Sequence, residues 1–121
     1  LRRSHKFKIK FSRSHFEEEI IPDNLKLSLF RILQEMISNI IRHSGASQIS
    51  IKLQNDAESI FMTITDNGKG FDPQSAREGL GLSNIRTRVA LFNGKMDLKT
   101  APGEGCILHV AIPYHRESEA E

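Results

Sequence analysis

The sequence predicts an α+β fold, a two-layer α/β sandwich with helices stacked on one face of a mixed, mostly antiparallel sheet. Two observations carry the expectation. Residues 22–43 repeat apolar side chains at helical spacing, and the β-forming stretches after them come as pairs joined by short polar or glycine-rich turns. The order along the 121-residue chain is strand, helix, strand, strand, loop, helix, strand, strand.

The first strand is KFKIKF, in which Lys6, Lys8 and Lys10 alternate with Phe7, Ile9 and Phe11, the period of a strand with one wet face. A polar stretch, SRSHFEEE, separates it from the long helix. Pro22, Asp23 and Asn24 supply start chemistry there, and Gly45 supplies the stop after Arg42 and His43. Leu29, Leu33, Met36, Ile37, Ile40 and Ile41 are expected to form its core face. Residues 47–54 alternate again and residues 59–65 are a more continuous β run, with NDAE as the hairpin turn between them. FDPQSAREGLGL is expected to be loop. LSNIRTRVALFNG then resumes a helical period, with Ser83 as its cap, Leu82, Ile85, Val89 and Phe92 on one side, and Asn93 with Gly94 at its end. KMDLKT, the turn APGEG and CILHVAIP make a closing hairpin.

Length and composition imply a single domain over residues 1–121, with a core from about 6 to 113 and a frayed tail, 114–121. A chain of this size hides about two-thirds of its unfolded surface. Hydrophobic residues at 38% and charged residues at 26% are ordinary globular usage. No apolar run approaches the roughly 20 residues of a membrane span, so no membrane contact is expected from this piece. It begins at Leu1 and first reaches methionine at Met36, which suggests a fragment of a longer protein. Cys106 is the single cysteine; it excludes an internal disulfide framework and fits a cytoplasmic setting. A net charge of +2 does not announce nucleic acid. The cluster of Arg2, Arg3, Lys6, Lys8, Lys10 and Arg13 lacks interleaved aromatics on its basic side and reads as a solvated face.

Four local features carry chemistry. On the long helix Glu35, Asn39 and His43 are spaced four apart and share a stripe. A carboxylate and a carboxamide oxygen at that spacing can hold a hard cation such as Mg²⁺, with Arg42 and His43 beyond them placed for phosphate. Taken alone, that stripe is more simply the polar edge of an amphipathic helix. Asp66 ends a strand and opens the turn DNGKG, where Gly68 and Gly70 let backbone approach a flat ligand. Its carboxylate can accept a hydrogen bond from an exocyclic amine such as that of adenine; the plain alternative is an ordinary strand-end turn. EGLGLSNI runs Gly79 and Gly81 into a helix start, and PGEGC is a further glycine-rich turn.

In this order the four are far more specific than any one of them. The sequence resembles the ATP-binding catalytic domain of bacterial sensor histidine kinases, in the GHKL (Bergerat-fold) ATPase superfamily. LFRILQEMISNIIRHSGA is similar to that family's N box, DNGKGFD to its first glycine box, GLGL to its second, and PGEG before a strand ending in IP to its last. The wording of the N box and the short loop after DNGKGFD resemble the subfamily of nitrate, degradative-enzyme and desaturase sensors.

The resemblance implies Asn39 as a magnesium ligand with Glu35 near the metal or its waters, and Asp66 as the reader of the adenine amine. Gly68 and Gly70 would clear space for the ring. Arg42 and His43 would stand near the phosphates, and Gly79 and Gly81 would hinge a lid. Phe71, Leu80, Leu82 and Cys106 complete the implied nucleotide contacts. Cys106 stands where the family usually has threonine. The implied cofactors are ATP and Mg²⁺. The implied partners are the dimerisation and histidine phosphotransfer domain of the parent kinase and a response regulator with a helix-turn-helix output; direct nucleic-acid contact is not implied. The implied location is the cytoplasm, with the parent anchored in the inner membrane in many such kinases. None of His5, His15, His43, His109 and His115 lies in a family acceptor helix, so self-phosphorylation of this piece is not expected. Two rivals are an anti-sigma-factor serine kinase and an interaction module of the same fold without nucleotide. The fragment-like start argues against the first, and the intact Asn39, Asp66 and glycines argue against the second.

Overall fold

The computed structural model describes residues 8–72 and 82–115. Its strands are β1 (Lys8–His15), β2 (Gln48–Asn55), β3 (Ser59–Asp66), β4 (Lys95–Thr100) and β5 (Cys106–Pro113), and its α-helices are α1 (Asp23–His43) and α2 (Leu82–Leu91). The sheet has the order β1-β2-β3-β5-β4. β1 and β2 run parallel and every other pair is antiparallel, so the sheet is mixed and mostly antiparallel, as expected. The parallel pair follows from connectivity, because α1 carries the chain back to the start of the sheet between β1 and β2.

The register stacks the inward side chains into rows. Ile51, Ile64, Leu108 and Leu98 form one row, and Leu53, Met62, Val110 and Met96 form the next. These rows meet α1, whose buried stripe is Leu25, Ser28, Leu29, Ile32, Met36, Asn39 and Ile40. Leu82, Ile85 and Val89 of α2 join the same core. The opposite sheet face carries Lys10, Lys52, His109 and Lys99 in water.

Three expectations are corrected here. β1 runs on through Ser12 to His15, because the exposed Ser12 and Arg13 side chains at a sheet edge need no burial. The core face of α1 is rotated from the expected one: Leu33 and Ile37 only border the core, and Ile41 is 47% exposed. Apolar residues surround so much of α1 that spacing alone did not phase it, and the true inner stripe includes two polar residues. α2 begins at Leu82, so Ser83 lies inside it rather than capping it. Its end is as expected: Asn93 takes φ 60° and the Gly94 N–H donates to Val89 O at 2.9 Å. No helix among the described residues is long and apolar enough to cross a membrane.

Candidate functional site

The inner row at one end of the sheet differs from the rest. Ile49, Asp66, Cys106 and Thr100 lie side by side across β2, β3, β5 and β4. Above this row α1 presents Asn39 rather than an aliphatic side chain. The layers therefore do not close, and a cavity of about 280 Å³ remains. Met36, Ile40 and Phe71 give it apolar walls, Asn39, Asp66 and Cys106 give it polar ones, and Arg42, His43 and Lys69 stand at its rim.

Asp66 is 5% exposed, and its Oδ1 accepts the Gly68 N–H at 2.7 Å. Burial holds its carboxyl above the usual range, and the Gly68 N–H draws it partly back. Its carboxylate accepts no other hydrogen bond among the described residues. Across the ladder, burial first and the Asp66 charge second push the Cys106 thiol up to about 11, against a small pull from Thr100. The thiol is therefore neutral at ordinary pH. Asn39 is 6% exposed, and its Oδ1 is a buried oxygen with no hydrogen-bond partner. Leaving such an acceptor unsatisfied costs about 1–3 kcal/mol, so it points to a ligand.

The loops that frame the cavity are fixed by close backbone approach. The Lys69 N–H donates to Ser44 O at 2.9 Å, docking the DNGKG turn on the last turn of α1. A Cβ at Gly68 would meet Ser44 O at 2.5 Å, and one at Gly70 (φ +62°) would overlap Ala101 O. Close packing of the chain against itself already requires glycine at both positions, whatever the cavity holds. Asn67 adds a bolt, its Oδ1 accepting the Ser47 and Gln48 N–H groups at 2.9 Å each.

Of the residues singled out in the sequence, Asn39, Arg42, His43, Asp66, Gly70, Phe71 and Cys106 come together around this cavity. Glu35 is half-buried on α1 and does not line it. Leu82 belongs to the core and does not line it either. Gly79, Leu80 and Gly81 lie outside the described residues. Sequence reasoning missed Lys69, although it stands between the two glycines of the turn, and it missed the walls Met36 and Ile40.

The chain also matches the family model of histidine kinase-, DNA gyrase B- and HSP90-like ATPases over residues 24–116. It belongs to that ATPase family. Among its relatives, the signal transduction histidine-protein kinase/phosphatase DegS of Brevibacillus brevis is 33% identical over 100 residues, covering 82% of this chain and 26% of that protein. The sensor protein VraS of Staphylococcus haemolyticus is 33% identical over 100 residues, covering 82% of this chain and 29% of that protein. The chain thus spans little more than a quarter of the relatives it matches. A crystal structure of full-length ShkA in complex with AMPPNP has a TM-score of 0.77 at 18% identity, covering 95% of this chain and 27% of that one. This likeness shows the shared fold.

Among the described residues no three His, Cys, Asp or Glu side chains are grouped to hold a metal ion. The donor set still suits Mg²⁺, which keeps most of its waters and takes one or two protein oxygens together with substrate phosphates. The orphaned, hard Oδ1 of Asn39 is such an oxygen.

Proposed function

We propose that this chain is the nucleotide-binding catalytic domain of a sensor histidine kinase, which binds ATP with Mg²⁺. It presents the γ-phosphoryl group to a histidine on a separate dimerisation and phosphotransfer domain, for relay to a response regulator. The observation that carries the reading is a pair of under-satisfied buried groups lining one cavity: the carboxylate of Asp66 in the sheet and the Oδ1 of Asn39 on the helix.

In this reading Asp66 accepts the exocyclic amine of adenine, and Met36, Ile40 and Phe71 enclose the ring. The neutral thiol of Cys106 adds no competing charge beside Asp66. Asn39 holds the cation, and Arg42, His43 and Lys69 balance phosphate charge at the open side. Mg²⁺, when bound, neutralises phosphate oxygens and orients the terminal group for in-line transfer. The cavity lies near the lower bound of small-molecule sites, roughly 300–1,000 Å³. The base therefore fits between the layers and the phosphates extend past its mouth. The cytoplasm, where ATP and a response regulator meet, is the matching location.

Isothermal titration of the chain with ADP is the direct test. Binding strengthened by Mg²⁺ in the wild type is expected, with the Mg²⁺ effect absent from Asn39→Leu and the adenine preference over guanine lost in Asp66→Asn. A folded chain that takes up no heat with ADP would overturn the reading in favour of a nucleotide-free module.

A further inference from the structure

We propose that the outer face of α1 docks a separate amphipathic helix whose flanks are acidic. Leu27, Phe30, Gln34, Ile37 and Ile41 follow one another at spacings of three, four, three and four residues. That is the seam of a helix that packs against another helix, and it does not match the period of two that a strand partner would require. The seam lies on the side of α1 away from Leu25, Ile32 and Met36, which face the sheet. A helix covering a sheet normally turns polar residues outward. Here Leu27, Phe30 and Ile41 are 53%, 56% and 47% exposed instead. Phe30, Leu33, Ile37 and Ile41 line an open groove of about 500 Å³. Phe30 and Leu33 also line a second of about 260 Å³ that reaches Phe11 on β1. A continuous apolar surface of this kind marks an interaction site. Gln34, the one polar residue of the seam, is suited to set register.

Charge selects the occupant. Arg31 and Arg42 are exposed beside the seam and have no ion pair among the described residues. Lys26, on the other flank, is already held by Glu18 at 3.6 Å and Asp23 at 3.4 Å. Glu35 is half-buried and lies further round, toward Asn39. Two copies of this face would set arginine against arginine, which disfavours self-pairing. A helix with glutamates beside its apolar stripe satisfies both the seam and the arginines. Arg42 also borders the cavity described above, so the docked helix would lie next to its mouth.

The test uses two fluorescent synthetic helices with leucine at the a and d positions. One carries glutamate and the other lysine at e and g, and like charges keep each from pairing with itself. Anisotropy titration of the chain is expected to show the acidic peptide bound about tenfold or more tighter than the basic one, with the difference shrinking in salt. Phe30→Asp with Ile41→Asp should lose the acidic peptide by about tenfold or more while circular dichroism and ADP binding stay unchanged. Leu27→Asp, at a more peripheral position, should give a smaller loss in the same direction. Failure of the acidic peptide to bind, equal binding of both peptides, or wild-type binding by the double variant would overturn the proposal. So would a dimer of the chain alone that the double variant abolishes. ADP titration of the peptide-free chain is read separately, because Leu27, Phe30 and Ile41 do not line the nucleotide cavity.

Discussion

Toward the start of α1 the space between helix and sheet is filled. Ile21, Leu25, Ile32, Ile60 and Ile112 are at most 1% exposed there. Toward the end of α1 the same two layers enclose Asn39, Asp66 and Cys106 around empty volume. Backbone geometry is alike at both ends: β2, β3, β5 and β4 keep one register along their length and α1 is one continuous helix. The difference is a single row of side chains. Where the sheet offers Ile64 and Leu108 the helix can close on it, and where it offers Asp66 and Cys106 the helix turns Asn39 toward them and a cavity remains. The cavity in this fold is thus a core with its last row exchanged for polar groups, and the filled rows supply the stability that the open row forgoes.

The largest expected effect tests the filled side. Leu108→Ala, one row from the cavity, should lower unfolding free energy by about 2–5 kcal/mol in urea titration. Cys106→Ala should cost far less, because its thiol already borders open space. Equal losses would break the comparison.

The rim is next. Gly70→Ala puts a Cβ both into a left-handed backbone position and against Ala101 O. Gly45→Ala has the same sign of φ, +67°, with nothing within 4 Å of the added atom. Strain alone costs roughly 1–2 kcal/mol, so Gly45→Ala should lose about that much in the same titration and Gly70→Ala distinctly more. If the two lose equally, the rim is not held by close packing.

A smaller effect of opposite sign is expected inside the cavity. Asn39→Leu removes an acceptor that no group satisfies and should raise the stability of the ligand-free chain by about 1 kcal/mol, at the low end of the usual penalty for such a group. Its thermal shift with ADP should no longer respond to Mg²⁺. A destabilised Asn39→Leu chain would mean that Asn39 is a structural residue rather than a held-open ligand position.

Much of this was legible in the residues. Alternation in KIKF and SQISIKLQ marked two strands, because period two has no competing reading when polar and apolar residues strictly alternate, and the glycine-rich turn APGEG marked KMDLKT and CILHVAIP as a hairpin. Asp66, Asn39 and the glycines of DNGKG stood out as chemistry because each is costly where it sits unless something uses it. Phasing α1 was not possible by spacing, since Leu27, Phe30, Ile37 and Ile41 carry a second apolar stripe that period alone cannot rank below the first. The reason for Gly68 and Gly70 was also hidden. Their neighbours Ser44, Ala101 and Gly105 are distant in sequence, and only the folded chain brings those carbonyl groups against them. Lys69 escaped because a lysine in a turn is unremarkable until the turn is docked on a helix end.

The finest expected effect concerns the sign of a pH response, and it separates the two ends of the sandwich most sharply. Burial raises the folded-state pKa of Asp66 above the ordinary aspartate value of 3.8. The neutral carboxyl is therefore the form the fold prefers. Its contribution to stability is fully present below the unfolded value and is lost as pH rises through the raised folded value, after which the profile is flat. Aliphatic rows have no such step. Ligand binding runs the other way, because an amine donor needs the ionised acceptor: affinity for ADP should fall as pH drops through the same raised value, earlier than an ordinary aspartate would allow. Asp66→Asn keeps an oxygen for the Gly68 N–H and removes the titration. Its ligand-free stability near neutral pH should equal or slightly exceed that of the wild type, and its weak ADP binding should lack the acid step. Calorimetric melting and ADP titration between pH 4 and 8 on both chains measure the two slopes. A stability step and an affinity step of the same sign would show that Asp66 is held for the fold and not for the ligand.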